Sequence, residues 1–203
     1  MRSQIKLLAL FLSAAFLLAC GGPGYVRGSE NPELDKYAMS TGLDKKDLES
    51  LFTQNSKSLM SSGAMKRWRR MSQNGKEATV AIFPIANKTS EHIDSQLQAL
   101  LSDFETTLVN SGEVSVISHE NQDKMLIQEI KRQQSRVFDR DKAAQFAKQL
   151  GVKYFVTGKV HDSAEKAGSE RRVQYFLFMQ AIEVETGVVR WQNKATLTKA
   201  FAN

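Results

Sequence analysis

The sequence predicts a fold between α+β and α/β: a mixed sheet of about five strands flanked by helices. Three observations carry that expectation. Residues 78–86 (Ala-Thr-Val-Ala-Ile-Phe-Pro-Ile-Ala) are almost wholly apolar, as in a strand covered on both faces. Between 90 and 150, apolar residues recur at helical spacing. After Val152 the period falls from 3.6 to 2, and three strand-like segments follow one another. Strands separated by helices can pair in parallel through right-handed crossovers, whereas the final meander must pair antiparallel.

The chain opens with Arg2, Lys6 and an apolar run from Leu7 to Ala19. A charged start and a short apolar stretch mark residues 1–19 as a signal peptide, too short to cross a bilayer as a helix. Leu17-Leu18-Ala19-Cys20 follows, and Cys20 is the only cysteine. This spacing resembles the lipobox of bacterial lipoproteins, although Leu18 is larger than the residue usual there. The resemblance implies that Cys20 is acylated and becomes the new amino terminus, which anchors the chain to a membrane. Acyl chains contribute roughly 0.8 kcal/mol per buried methylene, so several of them hold a protein stably. In such lipoproteins an Asp after the cysteine favours the inner membrane. Gly21 stands here, which implies the outer membrane, periplasmic face. With Cys20 spent on the anchor, the fold must rest on its core and not on disulfides.

Residues 20–43 are expected to form a lipidated flexible tether. Positions 21–35 alone hold four glycines and two prolines. Leu48, Leu51, Phe52, Leu59 and Met60 then recur at helical spacing, with Asp44 as the cap and Gly63 as the stop. Residues 63–76 carry Lys66, Arg67, Arg69 and Arg70 around Trp68, then Ser-Gln-Asn-Gly-Lys, and read as a solvated basic connector. A basic run with an aromatic is also a nucleic-acid signal, but a periplasmic address argues against nucleic acid. The net charge is +6, and removing Arg2 and Lys6 with the signal peptide leaves +4.

The globular body is expected over 77–203. Its first strand covers 78–86, and Pro84 should end regular pairing there. Ser90 can cap a helix bearing Ile93, Leu97, Leu101, Phe104 and Leu108 on one stripe, stopped by Gly112. Residues 114–118 form a short second strand. Helices follow at about 121–131, with Met125, Ile127 and Ile130, and at about 140–150, with Ala143, Phe146, Ala147 and Leu150 inward. Gly151 stops the latter. Residues 152–161 and 172–184 are strands, the second apolar on both faces over 175–179. Thr186-Gly187 turns the chain. Val189, Trp191, Ala195 and Leu197 then alternate with Arg190, Gln192, Lys194 and Thr196, so the last strand buries one face and wets the other.

Reactive groups do not converge in this sequence. No Gly-x-Ser-x-Gly elbow occurs. His92, His119 and His161 sit singly, without a second ligand at metal spacing. Gly21-Gly22-Pro23-Gly24 lacks the Lys-Ser/Thr pair of a phosphate loop. The acid pairs Glu183/Glu185 and Asp139/Asp141 are of the kind common on solvated surfaces. The expectation is therefore a non-enzyme, with no metal, no cofactor and no small-molecule substrate.

Three segments carry a family resemblance: 79–90 (Thr-Val-Ala-Ile-Phe-Pro-Ile-Ala-Asn-Lys-Thr-Ser), 151–160 (Gly-Val-Lys-Tyr-Phe-Val-Thr-Gly-Lys-Val) and 185–191 (Glu-Thr-Gly-Val-Val-Arg-Trp). In this order, and behind a lipobox, they resemble the LpoB lipoproteins, activators of bifunctional penicillin-binding proteins. The resemblance covers nearly all of 78–200 and implies a fold like the N-terminal domain of TolB. It also implies a role: reaching from the outer membrane through peptidoglycan to a synthase and stimulating its glycosyltransferase and transpeptidase activities. The best-known members carry a long Pro-rich segment before the domain, and here the tether is short. Arg132, Arg136, Arg171 and Arg172, at helix or loop ends, are candidates for charge-assisted contacts to that partner. Related lipoproteins of the CsgG type share the strand openings, so a part in an envelope secretion or assembly complex is the alternative, with a generic periplasmic binding lipoprotein behind it. A membrane pore would need strands of about ten alternating residues, for which the chain lacks spare length.

Overall fold

The computed structural model describes residues 33, 36–38, 40–117, 145, 148, 151–167 and 170–200. The chain divides into two compact units, Met1–Ala38 and Met39–Asn203. In the first, Lys36 pairs with Glu33 at 2.9 Å.

Helix α1 spans Lys45–Met60. Asp44 caps it reciprocally: its carboxylate accepts from the Asp47 N–H at 2.9 Å, and the Asp47 carboxylate accepts from the Asp44 N–H at 3.0 Å. The expected stripe is buried, with Leu48, Leu51, Phe52 and Leu59 joined by Asn55. Gly63, however, does not stop this helix. Ser62 caps a second one, α2 (Gly63–Gln73), through its Oγ on the Met65 N–H at 3.1 Å. The basic connector is thus a helix. Its apolar residues Ala64, Met65, Trp68 and Met71 fall on one face, hidden in the sequence by the lysines and arginines that alternate with them. Trp68 is fully buried, its ring 5.2 Å from that of Tyr154.

Strand β1 (Thr79–Asn87) runs through Pro84 instead of ending there. Its register against β3 (Tyr154–Ala167) shifts between Ile82 and Ile85, so a local irregularity absorbs the missing donor. Among the described residues, strand β2 (Ser115–Ile117) pairs with β1 over Thr79–Ala81. Ser90 caps nothing. Helix α3 (Asp94–Asn110) starts after Ile93 without a side-chain cap, and Asn87 organises the preceding turn by accepting from Thr89 and donating to the Glu91 carbonyl at 2.8 Å. Its buried stripe is Leu97, Leu100, Leu101, Phe104 and Leu108.

The helix expected at 121–131 lies outside the described residues. Within that expected at 140–150, Gln145 and Lys148 are described, and both are helical and exposed. Strand β4 is Glu170–Glu183 and β5 is Val189–Ala200; β3 and β4 extend past the expected ends into a longer hairpin. Gly187 sits at φ 67°, the left-handed conformation that the turn between β4 and β5 requires.

The sheet order is β2-β1-β3-β4-β5, with β1 parallel to both neighbours and β3-β4-β5 antiparallel. All three described helices pack on one face, in a core that includes Val80, Ile82, Val156, Val160, Leu177, Met179 and Ala195. A smaller cluster of Ala81, Phe83, Phe155 and Ile182 lies on the other face.

Polar links fix α1 over β4 and β5. Asn55 donates to the Leu51 and Leu177 carbonyls at 3.0 and 3.2 Å and accepts from Asn193 at 3.1 Å. Trp191 donates to Ser58 at 3.1 Å, and the Tyr175 hydroxyl donates to the Thr41 carbonyl at 2.9 Å. Lys199 is buried on the helix face of β5, and its Nζ donates to Gly42 O at 2.7 Å, Asp44 at 3.0 Å and Asp47 at 2.7 Å. A buried charge is tolerated only with such partners. Burial pushes Asp44 up, but the Asp47 N–H and the Lys199 ammonium outweigh it and hold the carboxyl below its usual value. Burial likewise works against the Lys199 charge, and Asp47 and Asp44 reverse that, leaving its pKa raised.

Candidate interaction surface

The antiparallel register places partners on a common face. On the face away from α1, α2 and α3, three rows cross β3, β4 and β5: Lys159–Phe178–Lys194, His161–Phe176–Thr196 and Ser163–Gln174–Thr198. Lys159, Ser163, Lys194, Thr196 and Thr198 are exposed, and Phe176, Phe178, His161 and Gln174 are half-buried. The lysines lean over the rings, Lys159 Nζ 6.0 Å from the centre of Phe178 and Lys194 Nζ 5.3 Å from that of Phe176. Among the described residues neither lysine pairs with a carboxylate. The result is a platform with an aromatic middle and cationic flanks. Burial, then the charges of Lys159 and Lys88, keep the His161 pKa below its usual value. The ring is therefore neutral at neutral pH, and the lysines alone set the charge of the patch.

Such a surface suits an anionic protein face: the rings supply area to be desolvated and the lysines supply steering and register. Among the described residues no group of three metal-ligating side chains occurs. A groove of about 370 Å³ between α1 and α3 is lined by Phe52, Leu100 and Phe104, with Glu49, Lys57 and Asp103 at its rim.

The sequence-predicted contact residues do not gather on this platform. Arg172 lies on the same face near the hairpin tip, exposed and paired with Glu165. Arg171 occupies the adjacent position of β4, opposite Lys166. Arg132, Arg136 and Cys20 lie outside the described residues, as does His119. The platform residues Lys159, Phe176, Phe178 and Lys194 are not among the candidates that the sequence offers. A signal existed: 175–179 is apolar on both faces, yet its partner β5 wets its outer face, so the outward rings of β4 had to be incompletely covered.

A model of the family described as "Peptidoglycan-synthase activator LpoB" matches residues 47–197. The chain belongs to this family. The LpoB match takes in α1 from Asp47, all of α2 and α3, and the strands as far as Leu197, and so includes the basic stretch 63–76. Among solved structures, the LpoB C-terminal domain from Salmonella enterica is similar at 18% identity, over 76% of this chain and 98% of that one, with a TM-score of 0.43. The LpoB C-terminal domain from Escherichia coli is similar at 18% identity, over 73% and 95%, with a TM-score of 0.44. Lipoprotein GNA1162 from Neisseria meningitidis is similar at 11% identity, over 62% and 87%, with a TM-score of 0.44. No curated protein sequence matches the chain.

Proposed function

We infer that this chain is a lipid-anchored, non-enzymatic activator of a bifunctional penicillin-binding protein. Cys20 tethers it to the periplasmic face of the outer membrane, and the platform on β3-β4-β5 contacts the synthase. The observation that carries this reading is the family match across 47–197. The lipobox at Cys20 supports the anchor, and among the described residues no helix is long and apolar enough to cross a membrane. Arg172 lies on the platform face beyond Gln174, where Glu165 pairs with it, and Arg171 occupies the next position of β4; both remain candidates for contact with the synthase. Arg132 and Arg136 remain candidates from sequence alone.

An activator that only touches its partner must bind the active conformation more tightly than the resting one, since equal affinity shifts nothing. A tenfold shift in that equilibrium needs a preference of about 1.4 kcal/mol, well within the reach of a few interfacial contacts. Reach is the other constraint. Between Cys20 and Asp44 stand 23 residues, which span at most about 80 Å when drawn straight at roughly 3.3–3.6 Å each. Undocking α1 to gain length would expose Leu48, Leu51, Phe52 and Leu59, at roughly 1.5–3 kcal/mol each. The synthase domain contacted therefore lies towards the outer membrane.

Fractionation and reconstitution test this together. Cys20→Ala should move the protein from the membrane to the soluble fraction while its melting temperature stays the same. The soluble form should retain a purified bifunctional synthase in a pull-down. A protein that stays in the membrane after Cys20→Ala refutes the anchor, and failure to retain any such synthase refutes the partner.

A further inference from the structure

We propose that the outer edge of β5 is a docking edge at which an extended, acidic segment of the synthase adds a sixth strand; this rests on the activator reading above. β5 ends the sheet order and is 12 residues long. At about 3.4 Å per residue it presents an edge of roughly 40 Å. Among the described residues, none of its outward backbone groups has a hydrogen-bond partner, because its pairing is with β4 alone.

Proteins normally blunt such an edge with proline, bulges, short strands, edge lysines or inward-pointing charge; here the exposed Lys194 is such a lysine, which discourages self-pairing but admits an acidic strand. β5 contains no proline and no glycine. Its one register shift lies at its start, opposite Ala181/Ile182. Its inward charge, Lys199, is neutralised by Asp44 and Asp47. A long, regular edge has thus been left open.

The occupant is a lone strand and not a second copy. Helix α1 lies over β5 along its length, with Asp47 above Lys199 and Ser58 above Trp191. Two copies joined through β5 would set their edge strands about 4.8 Å apart. The helices directly above them would then be nearly as close, whereas packed helices need about 8–10 Å. A single extended segment meets no such obstacle. Its chemistry follows from the rows of the platform. An added strand extends Lys159–Phe178–Lys194 by one position, beside the exposed Lys194, where a carboxylate forms a cross-strand ion pair. Gln192, Thr196 and Thr198, also exposed on that face, suit polar neighbours.

Hydrogen exchange on the detergent-solubilised full chain tests the edge, with and without the purified periplasmic part of the bifunctional synthase. Alternate amides over 190–199, those pointing away from β4, should slow at least tenfold in the complex. A complex that leaves β5 exchange unchanged overturns the docking edge and leaves the activator reading standing. No complex at all overturns both. Protection that grows with the concentration of this protein alone overturns the choice of occupant in favour of a second copy. Thr196→Pro and Leu197→Pro give an independent check, because successive N–H groups of a strand point alternately to β4 and outward. The variant that keeps the parent melting temperature has lost only an outward donor. It should bind the synthase at least fivefold more weakly, and unchanged affinity in that variant would overturn the proposal.

Discussion

Replacing Lys199 with methionine removes the one buried charge that ties the start of α1 to the end of β5. Its Nζ has three oxygen partners within 3.0 Å: Gly42 O, Asp44 and Asp47. Removing one partner of a buried ion pair commonly costs about 3–5 kcal/mol, because the remaining charge stays desolvated. Here the remaining charges are less trapped. The Asp44 side chain is 44% exposed and that of Asp47 14%, so water can reach the first once the ammonium is gone. Methionine also fills most of the space of the lysine stem. The expected loss is therefore about 1–3 kcal/mol, in line with charged hydrogen bonds. For a domain of this size, each kcal/mol moves Tm by roughly 2–4 °C, so the melt should fall by about 3–10 °C. Thermal unfolding at pH 7, followed by circular dichroism, reads the shift. Amide exchange in the first turn of α1 should rise with it, since Asp44 also caps that helix. A variant that melts at or above the parent temperature would mean that the methionine packing outweighs the lost ion pairs.

The same cluster makes a pH prediction. The raised Lys199 pKa means its contribution is full below 10.5 and is lost as pH rises through the folded value. The lowered Asp44 pKa means its contribution is present above 3.8 and is lost as pH falls through the folded value. The stability difference between parent and Lys199→Met should be flat across the neutral range and shrink at both extremes; a maximum inside the neutral range would contradict this. Trp68→Ala should cost about 3–5 kcal/mol in denaturant unfolding, as for a fully buried tryptophan. Lys66→Ala, on the exposed side of the same helix, should stay within about 0.5 kcal/mol, and equal small effects would return 63–73 to a connector. Gly158→Ala places a Cβ 2.4 Å from the Phe178 carbonyl oxygen and 2.9 Å from Ile85 Cδ1. Backbone must move, at about 1–3 kcal/mol, and a neutral melt would show that β3 and β4 are not packed as described.

Much of this fold was legible because its elements obey one period each. The all-apolar 78–86 run, the α1 and α3 stripes and the alternation of β5 all stand where the spacing puts them. The failures have local causes. In α2, four of eleven residues are Lys or Arg, and that composition masks the stripe of Ala64, Met65, Trp68 and Met71. At Pro84 a bulge satisfied what a regular ladder could not, so the strand ran on. Before α3, Asn87 holds residues 87–91 in a turn, so the helix begins only after Ile93, without a side-chain cap, and Ser90 falls outside it. The platform was less legible than the fold. Lys159, Phe176, Phe178 and Lys194 come from three strands, and only the register of β3 on β4 and of β4 on β5 brings them into rows. The arginines chosen from sequence were judged by charge and loop position, and neither property reports a face of a sheet.

We propose that contact through the β3-β4-β5 platform raises synthase activity. The most direct measurement is the rate of glycan polymerisation by a purified bifunctional penicillin-binding protein as the soluble Cys20→Ala form is titrated in, beside the same form carrying Lys159→Glu and Lys194→Glu. The rate should rise and saturate with the first, and the charge-reversed form, melting within about 2 °C of it, should need at least tenfold more protein for the same rise. A rate that stays flat with both proteins would contradict the activator role, and identical saturation curves would contradict the platform.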